Sequence, residues 1–184
     1  MAAYLVTGNP GSGKTTLAAE LARRGLVALD PDYDAELSYW EDDAGTQTLK
    51  ADGPAKPDEQ WLRRHHWVWS RSRLQEILRQ HQMPVFVCGI ALNIHQVVDL
   101  FERIFLLRID ADTQEQRLLA YDARNPPGRS EAERQQIRQG RPIFEARMLE
   151  LGAIALEGTA PTSGVADQLL AFVRGAPNPG EVAK

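Results

Sequence analysis

Short unbroken apolar runs alternate with longer amphipathic stretches along the chain. The first run, AYLVT at residues 3–7, stops at a glycine, and Leu17, Ala18 and Leu21 then recur at helical spacing within residues 14–24 until Gly25 ends them. This order predicts a strand, a loop and a helix. A second run, residues 26–29, leads into DPDYD, where Pro31 rules out a continuing helix and marks a strand giving way to a loop. Residues 41–60 are polar and carry Gly45, Gly53, Pro54 and Pro57, which predicts an exposed connection. Residues 61–80 predict a helix, with Trp67 and Trp69 leaving its first half open between helix and strand.

Two further runs, VFVCGI and IFLLRI at residues 85–90 and 104–109, are apolar but for Arg108, as in strands buried on both faces, and residues 94–101 between them predict a helical crossover. Asp112 and Thr113 are placed to cap a helix through Ala123. The breaker NPPG then precedes a charged helix over residues 130–151, and residues 153–156 and 164–174 predict a last strand and a closing helix. Strands alternating with helices predict a single α/β domain with a parallel sheet covered on both faces, its ligands at the carboxyl ends of the strands. There is no internal repeat.

Composition narrows the class. A chain of 184 residues, 43% hydrophobic and 25% charged, can build one domain with a substantial core. A net charge of −4 argues against a nucleic-acid partner, which needs clustered positive charge. Only Lys14, Lys50, Lys56 and Lys184 are lysines among 21 basic residues, so arginine forks, suited to phosphate, carry most of the positive charge. Genomic base composition explains most of those arginines. Cys88 stands alone, which excludes a disulfide framework and a cysteine metal cluster. No run approaches the roughly eighteen apolar residues of a membrane helix, and the expectation is a cytoplasmic protein with no membrane partner. The last segment, GAPNPGEVAK, is expected to be a flexible tail.

The chemistry is concentrated in GNPGSGKTT, directly after the first strand. The spacing Gly8-x-x-x-x-Gly13-Lys14-Thr15 lets successive backbone N–H groups point into one concavity that fits phosphate oxygens. In this reading Gly8, Asn9, Pro10, Gly11, Ser12, Gly13, Lys14, Thr15 and Thr16 hold the nucleotide, Lys14 sits between the β- and γ-phosphates, and the Thr15 hydroxyl binds Mg²⁺. The second signal is ALDPDYD. Asp30 and Asp32 fall at the end of the second strand, beside the phosphates, where a carboxylate serves either Mg²⁺ or an attacking hydroxyl; Asp34 is a third, weaker candidate. VFVCG ends without an acidic residue, which counts against a motor ATPase or a GTPase switch.

With these motifs in this order the chain resembles the small P-loop kinases of the shikimate, gluconate and nucleoside monophosphate kinase group, over residues 3–174. The resemblance implies a P-loop fold with a five-stranded parallel sheet, an acceptor-binding subdomain at about 33–82 and a lid at about 117–140, using ATP and Mg²⁺ as a monomer or weak homodimer. In TQEQRLLAYDARNPPGR it implies that Arg117 lies near the adenine and that Arg124 or Arg129 clamps the phosphates. In GRPIFEARM it implicates Arg141, with Arg138 as a neighbour, facing the acceptor and the transferring phosphate, and LEGTAP matches the loop lining the adenine pocket. The Asp30-x-Asp32 pair most resembles the acid pair of shikimate and gluconate kinases, with Asp30 on the Mg²⁺ side and Asp32 orienting or deprotonating a hydroxyl. The single glycine of CGIALN and the absence of a recognisable shikimate-gripping arginine in EQWLRRHHWVW depart from the shikimate pattern.

That last stretch lies where this group keeps its acceptor site. Trp67 there is suited to stack on a flat acceptor, Arg63 to meet an anionic group and Asn93 to hydrogen-bond substrate. Adjacent His65 and His66 lack ligand spacing for zinc. The expected activity is transfer of the γ-phosphoryl group of MgATP to a hydroxyl of a small metabolite such as a nucleoside. A nucleoside monophosphate kinase and a regulatory ATPase module are the alternatives.

Overall fold

The computed structural model describes residues 2–50, 52–54, 57–120 and 130–175. In chain order the elements are β1 (Ala3–Thr7), α1 (Lys14–Arg23), β2 (Val27–Leu29), β3 (Ser38–Asp42), β4 (Gln47–Thr48), α2 (Glu59–Arg64), β5 (His65–Trp69), α3 (Arg71–Gln80), β6 (Val85–Cys88), β7 (Arg103–Arg108), α4 (Ala111–Ala120), α5 (Glu131–Glu150), β8 (Ile154–Glu157) and α6 (Thr162–Val173). Five strands form one sheet in the order β2-β6-β1-β7-β8. Every pairing in it is parallel.

Period-2 alternation assigns successive residues of the central strands to two separate cores. Leu5, Val85, Val87, Ile104 and Leu106 pack to one side with Leu74 of α3 and Met148 of α5. Tyr4, Val6, Phe86, Phe105 and Leu107 pack to the other with Leu17 and Leu21 of α1 and Leu169 and Phe172 of α6. Strands with no solvent face can tolerate no polar alternation, which is why these runs read as continuously apolar. Complete burial of a side chain this size contributes about 1.5–3 kcal/mol. Edge strand β8 does alternate: Ile154 and Leu156 are buried while Ala155 and Glu157 are exposed.

A second, antiparallel sheet of order β4-β3-β5 stands beside the first. It corrects two expectations. Residues 41–60 are not simply a connection, because the end of β3 and all of β4 form a hairpin whose turn is closed by Asp42, its carboxylate accepting from the Ala44 and Thr46 N–H groups at 2.9 and 2.7 Å. Residues 61–80 are not one helix. Asp58 caps a short α2 by accepting from Trp61 N at 2.8 Å, HHWVW then extends as β5 against β3, and Ser70 caps α3 by accepting from Arg73 N at 3.3 Å. Aromatic and β-branched residues fit a half-buried pleated surface better than a helix interior, and the serine cap supplies the second start.

Two smaller differences follow from capping chemistry. The crossover between β6 and β7 is two short 3-10 turns, Ile94–Gln96 and Val98–Leu100, rather than a helix. At α4 the cap is Asp110, not Asp112 or Thr113: its carboxylate accepts from the Thr113 N–H and hydroxyl, each at 2.7 Å. Among the described residues no helix is long and apolar enough to cross a membrane.

Candidate active site

The carboxyl ends of β1, β2, β6 and β7 converge on the loop between β1 and α1. Gly8 leaves no room for a side chain, since a Cβ there would stand 2.6 Å from both Leu107 O and Ser12 Oγ. The Lys14 ammonium reaches back over the loop and donates to Gly8 O at 2.8 Å and Asn9 O at 3.1 Å. Enclosure pushes its pKa down to about 8, against the opposing pull of the Asp32, Asp30 and Cys88 charges. Thr7 Oγ1, Asn9 Nδ2 and Ser12 Oγ are buried at the loop without a hydrogen-bond partner among the described residues. Thr16 is exposed on the first turn of α1.

Asp30 and Asp32 stand where β2 ends. Thr15 Oγ1 donates to Asp30 Oδ2 at 2.7 Å, and Asp30 Oδ1 accepts from the Asp32 main-chain N–H at 3.1 Å. One carboxylate thus ties the start of α1 to the acid turn. Asp32 lies further in, and its pKa is raised by burial first and by the Asp30 charge second, against Lys50, Lys14 and a hydrogen bond from Trp67. That bond runs from Trp67 Nε1 to Asp32 Oδ1 at 3.1 Å. Asp34, the weaker candidate, is structural: its Oδ1 accepts from the Glu36 and Leu37 N–H groups, and its Oδ2 pairs with Arg73 at 3.2 Å.

Of the remaining candidates, Arg117 joins the loop directly. Its guanidinium donates to Gly11 O at 3.1 Å and to Gly158 O at 3.2 Å, linking the phosphate loop to the segment after β8. Arg141 on α5 donates to Ile109 O at 2.9 Å, at the carboxyl end of β7, with buried Glu145 between it and Arg108. Arg138 pairs with Glu115 and Glu131. Arg124 and Arg129 lie outside the described residues.

Two candidates are placed differently from expectation. Asn93 does not offer a free amide to a substrate, because its Oδ1 accepts from Trp69 N and its Nδ2 donates to Trp69 O, both at 2.9 Å. It fastens β5 to the end of β6. Arg63 is 75% exposed and pairs with Glu59 within α2, and among the described residues nothing connects it to the acid turn.

Trp67 belongs to an aromatic shelf on one face of the small sheet. Trp40 meets it edge-on at 5.1 Å and meets Trp61 at 4.8 Å, while Trp61 and His65 stack at 4.0 Å. Lys50, not singled out by any motif, lies 5.6 Å over the Trp67 ring and donates to Asp32 O at 3.4 Å. Gln114 was equally invisible; it supports the loop from below by donating to Pro10 O at 3.0 Å. Both act through contacts between segments distant in the chain, which no local pattern records.

No family model matches the chain, and no curated protein matches it by sequence. Solved structures do. A deoxyadenosine kinase from M. mycoides with bound dATP is 11% identical, with 95% of this chain and 100% of that one covered at a TM-score of 0.57. A shikimate kinase from Acinetobacter baumannii in complex with shikimate is 19% identical, with 94% and 92% covered at a TM-score of 0.60. A sugar kinase from Janibacter is 16% identical, with 96% of each chain covered at a TM-score of 0.51. At these identities the likeness concerns the fold, which is that of the P-loop kinases.

Proposed function

We propose that the protein is an ATP- and magnesium-dependent kinase that transfers the γ-phosphoryl group to a hydroxyl of a small metabolite, with nucleosides the leading acceptor class. The observation that carries this reading is the hydrogen-bonded series Thr15, Asp30, Asp32, Trp67 beside the phosphate loop. It sets a hard-oxygen pair and a sheltered carboxylate two residues apart, against an aromatic shelf. The fold likeness to a deoxyadenosine kinase, a shikimate kinase and a sugar kinase supports it.

The residues fit both groups. The side-chain-free cradle at Gly8 and the orphaned polar atoms of Thr7, Asn9 and Ser12 suit phosphate oxygens. Among the described residues no three His, Cys, Asp or Glu side chains gather into a metal cage. Thr15 and Asp30 alone suit Mg²⁺, which keeps several waters and takes few protein ligands. When bound, MgATP supplies the transferable phosphoryl group and the positive charge of the metal.

The chain's own residues do the rest. Backbone N–H groups of residues 9 and 11–15 and the Lys14 ammonium hold the phosphates, and Arg117 braces the adenine side. As the acceptor oxygen bonds to phosphorus and the bond to the ADP oxygen breaks, Asp32 takes the hydroxyl proton. Lys14, Arg141 and Arg124 balance the charge on the moving group, since this chemistry is mainly positioning and electrostatics. Because burial raises the Asp32 pKa above that of a free aspartate, its basic form is lost as pH falls through that raised value. The acid limb of kcat/KM is expected there, and a limb at the ordinary value would count against Asp32.

The experiment is ADP release from MgATP, with and without nucleosides, nucleoside monophosphates, shikimate, gluconate and aminoglycosides. Stimulation by a hydroxyl acceptor supports the reading. Stimulation by monophosphates alone would replace it with a monophosphate kinase, and tight ATP binding with a flat panel would replace it with a regulatory module.

A further inference from the structure

We infer that Trp67 is a positioning residue for the proposed reaction, its indole N–H holding one oxygen of Asp32 so that the other faces the acceptor hydroxyl; this role rests on the kinase reading above. Trp67 Nε1 donates to Asp32 Oδ1 at 3.1 Å, and among the described residues Oδ2 accepts no hydrogen bond. A carboxylate with one oxygen fixed and one free has a defined direction for proton transfer.

Both partners of this bond are immobilised from outside the pair. On the Asp32 side, its N–H is held by Asp30 Oδ1 at 3.1 Å and its carbonyl by Lys50 Nζ at 3.4 Å. On the Trp67 side, the strand is paired with β3 opposite Trp40, the Leu92 N–H donates to Trp67 O at 2.8 Å, and the Trp40 ring lies edge-on at 5.1 Å. The indole cannot swing away without disturbing this packing. A tryptophan at such a site brings a large ring and one N–H donor that needs a partner when sheltered. The acid is therefore aimed by two sheets at once: the end of β2 sets its backbone and β5 sets its side chain.

The charged groups facing Asp32 are Asp30 in its own turn, Lys14 of α1 and Lys50 beyond β4, with Trp67 of β5 the neutral donor. Asp30 and burial disfavour the carboxylate; the two lysines and the indole favour it.

The test is an NMR comparison of the full chain at one pH, following the Trp67 indole N–H in wild type and Asp32→Asn, together with the kinetics of Trp67→Phe. Phenylalanine keeps a ring against Trp40 and deletes the donor. The Trp67 indole proton is expected to shift in Asp32→Asn, and an unmoved signal overturns the proposal. An unchanged kcat in folded Trp67→Phe overturns it as well. If Trp67→Phe does not fold, the Asp32→Asn spectrum decides alone.

Kinetics separate aiming from stacking. With an acceptor that raises ADP release, Trp67→Phe is expected to lower kcat while KM changes little. A change in KM alone would make Trp67 a stacking surface instead. The indole spectrum needs no acceptor, so a coupled Asp32–Trp67 pair in a protein that no acceptor stimulates would sink the kinase reading while leaving the contact intact.

Discussion

The two sheets meet at Asp32 but are built differently. The central strands of the parallel sheet are buried on both faces, and the sheet's functional edge is made of backbone: a glycine loop, carbonyls that receive Lys14 and Arg117, and strand ends. The antiparallel sheet is half-exposed, and its functional face is made of side chains, namely Trp40, Trp61, Trp67 and neighbouring Lys50. A backbone cradle binds what all nucleotides share and tolerates little variation. A side-chain shelf can be changed residue by residue, so the proposed kinase reading assigns selectivity for the acceptor to the small sheet.

Lys14→Ala should have the largest effect, because it strikes the backbone cradle that everything else depends on. Loss of this one charged donor is expected to cost roughly 10²- to 10³-fold in ADP release, read by coupled assay with any stimulating acceptor. A loss confined to one acceptor would blur the division between the halves. Next comes Gly89→Ala, at the seam. A Cβ there would stand 2.6 Å from Trp69 Cζ2 and 2.9 Å from the Pro31 ring, so β5 or the acid turn must move. The expected cost is about 1–3 kcal/mol, seen as a lower Tm, and an unchanged Tm would show that the seam is soft.

A smaller effect follows from the Lys14 pKa of about 8. Near that pH roughly half of the free protein has a neutral Lys14, and bound phosphate favours the ammonium. Nucleotide binding at pH 8 should therefore take up about half a proton, and almost none at pH 6. Calorimetry in two buffers of different ionisation enthalpy reads this directly, and equal heats at pH 8 would contradict it. The smallest effect is expected from Arg63→Ala, since the side chain is exposed and, among the described residues, pairs only within α2. Stability should change by no more than about 0.5 kcal/mol and KM for the acceptor should stay put; a large rise in KM would restore Arg63 to the acceptor site.

The same division governs what could be read before the structure. Strands β1, β2, β6, β7 and β8 and helices α1, α5 and α6 follow from local patterns, because burial on both faces leaves an apolar run and a glycine-lysine loop prescribes its own geometry. The small sheet depends on contacts between Ser38–Asp42 and His65–Trp69, far apart in the chain and without a motif. HHWVW between Asp58 and Ser70 did carry a signal, a β-rich run with a helix cap on either side. That Asp30 stands beside the phosphate loop was legible from motif order, whereas its bond to Thr15, the Trp67 donor, Lys50 and the Trp69 clamp on Asn93 were not, since each is a tertiary contact of a residue whose type has many commoner uses.

The most direct test of the central claim, that the two halves are joined functionally at Asp32, is acceptor-dependent ADP release by wild type and Asp32→Asn, with MgATP affinity measured on the same samples. The account predicts stimulation of the wild type by a hydroxyl acceptor, and in Asp32→Asn a loss of about 10²-fold or more with MgATP affinity retained. An Asp32→Asn protein that transfers phosphoryl groups as fast as wild type would contradict it.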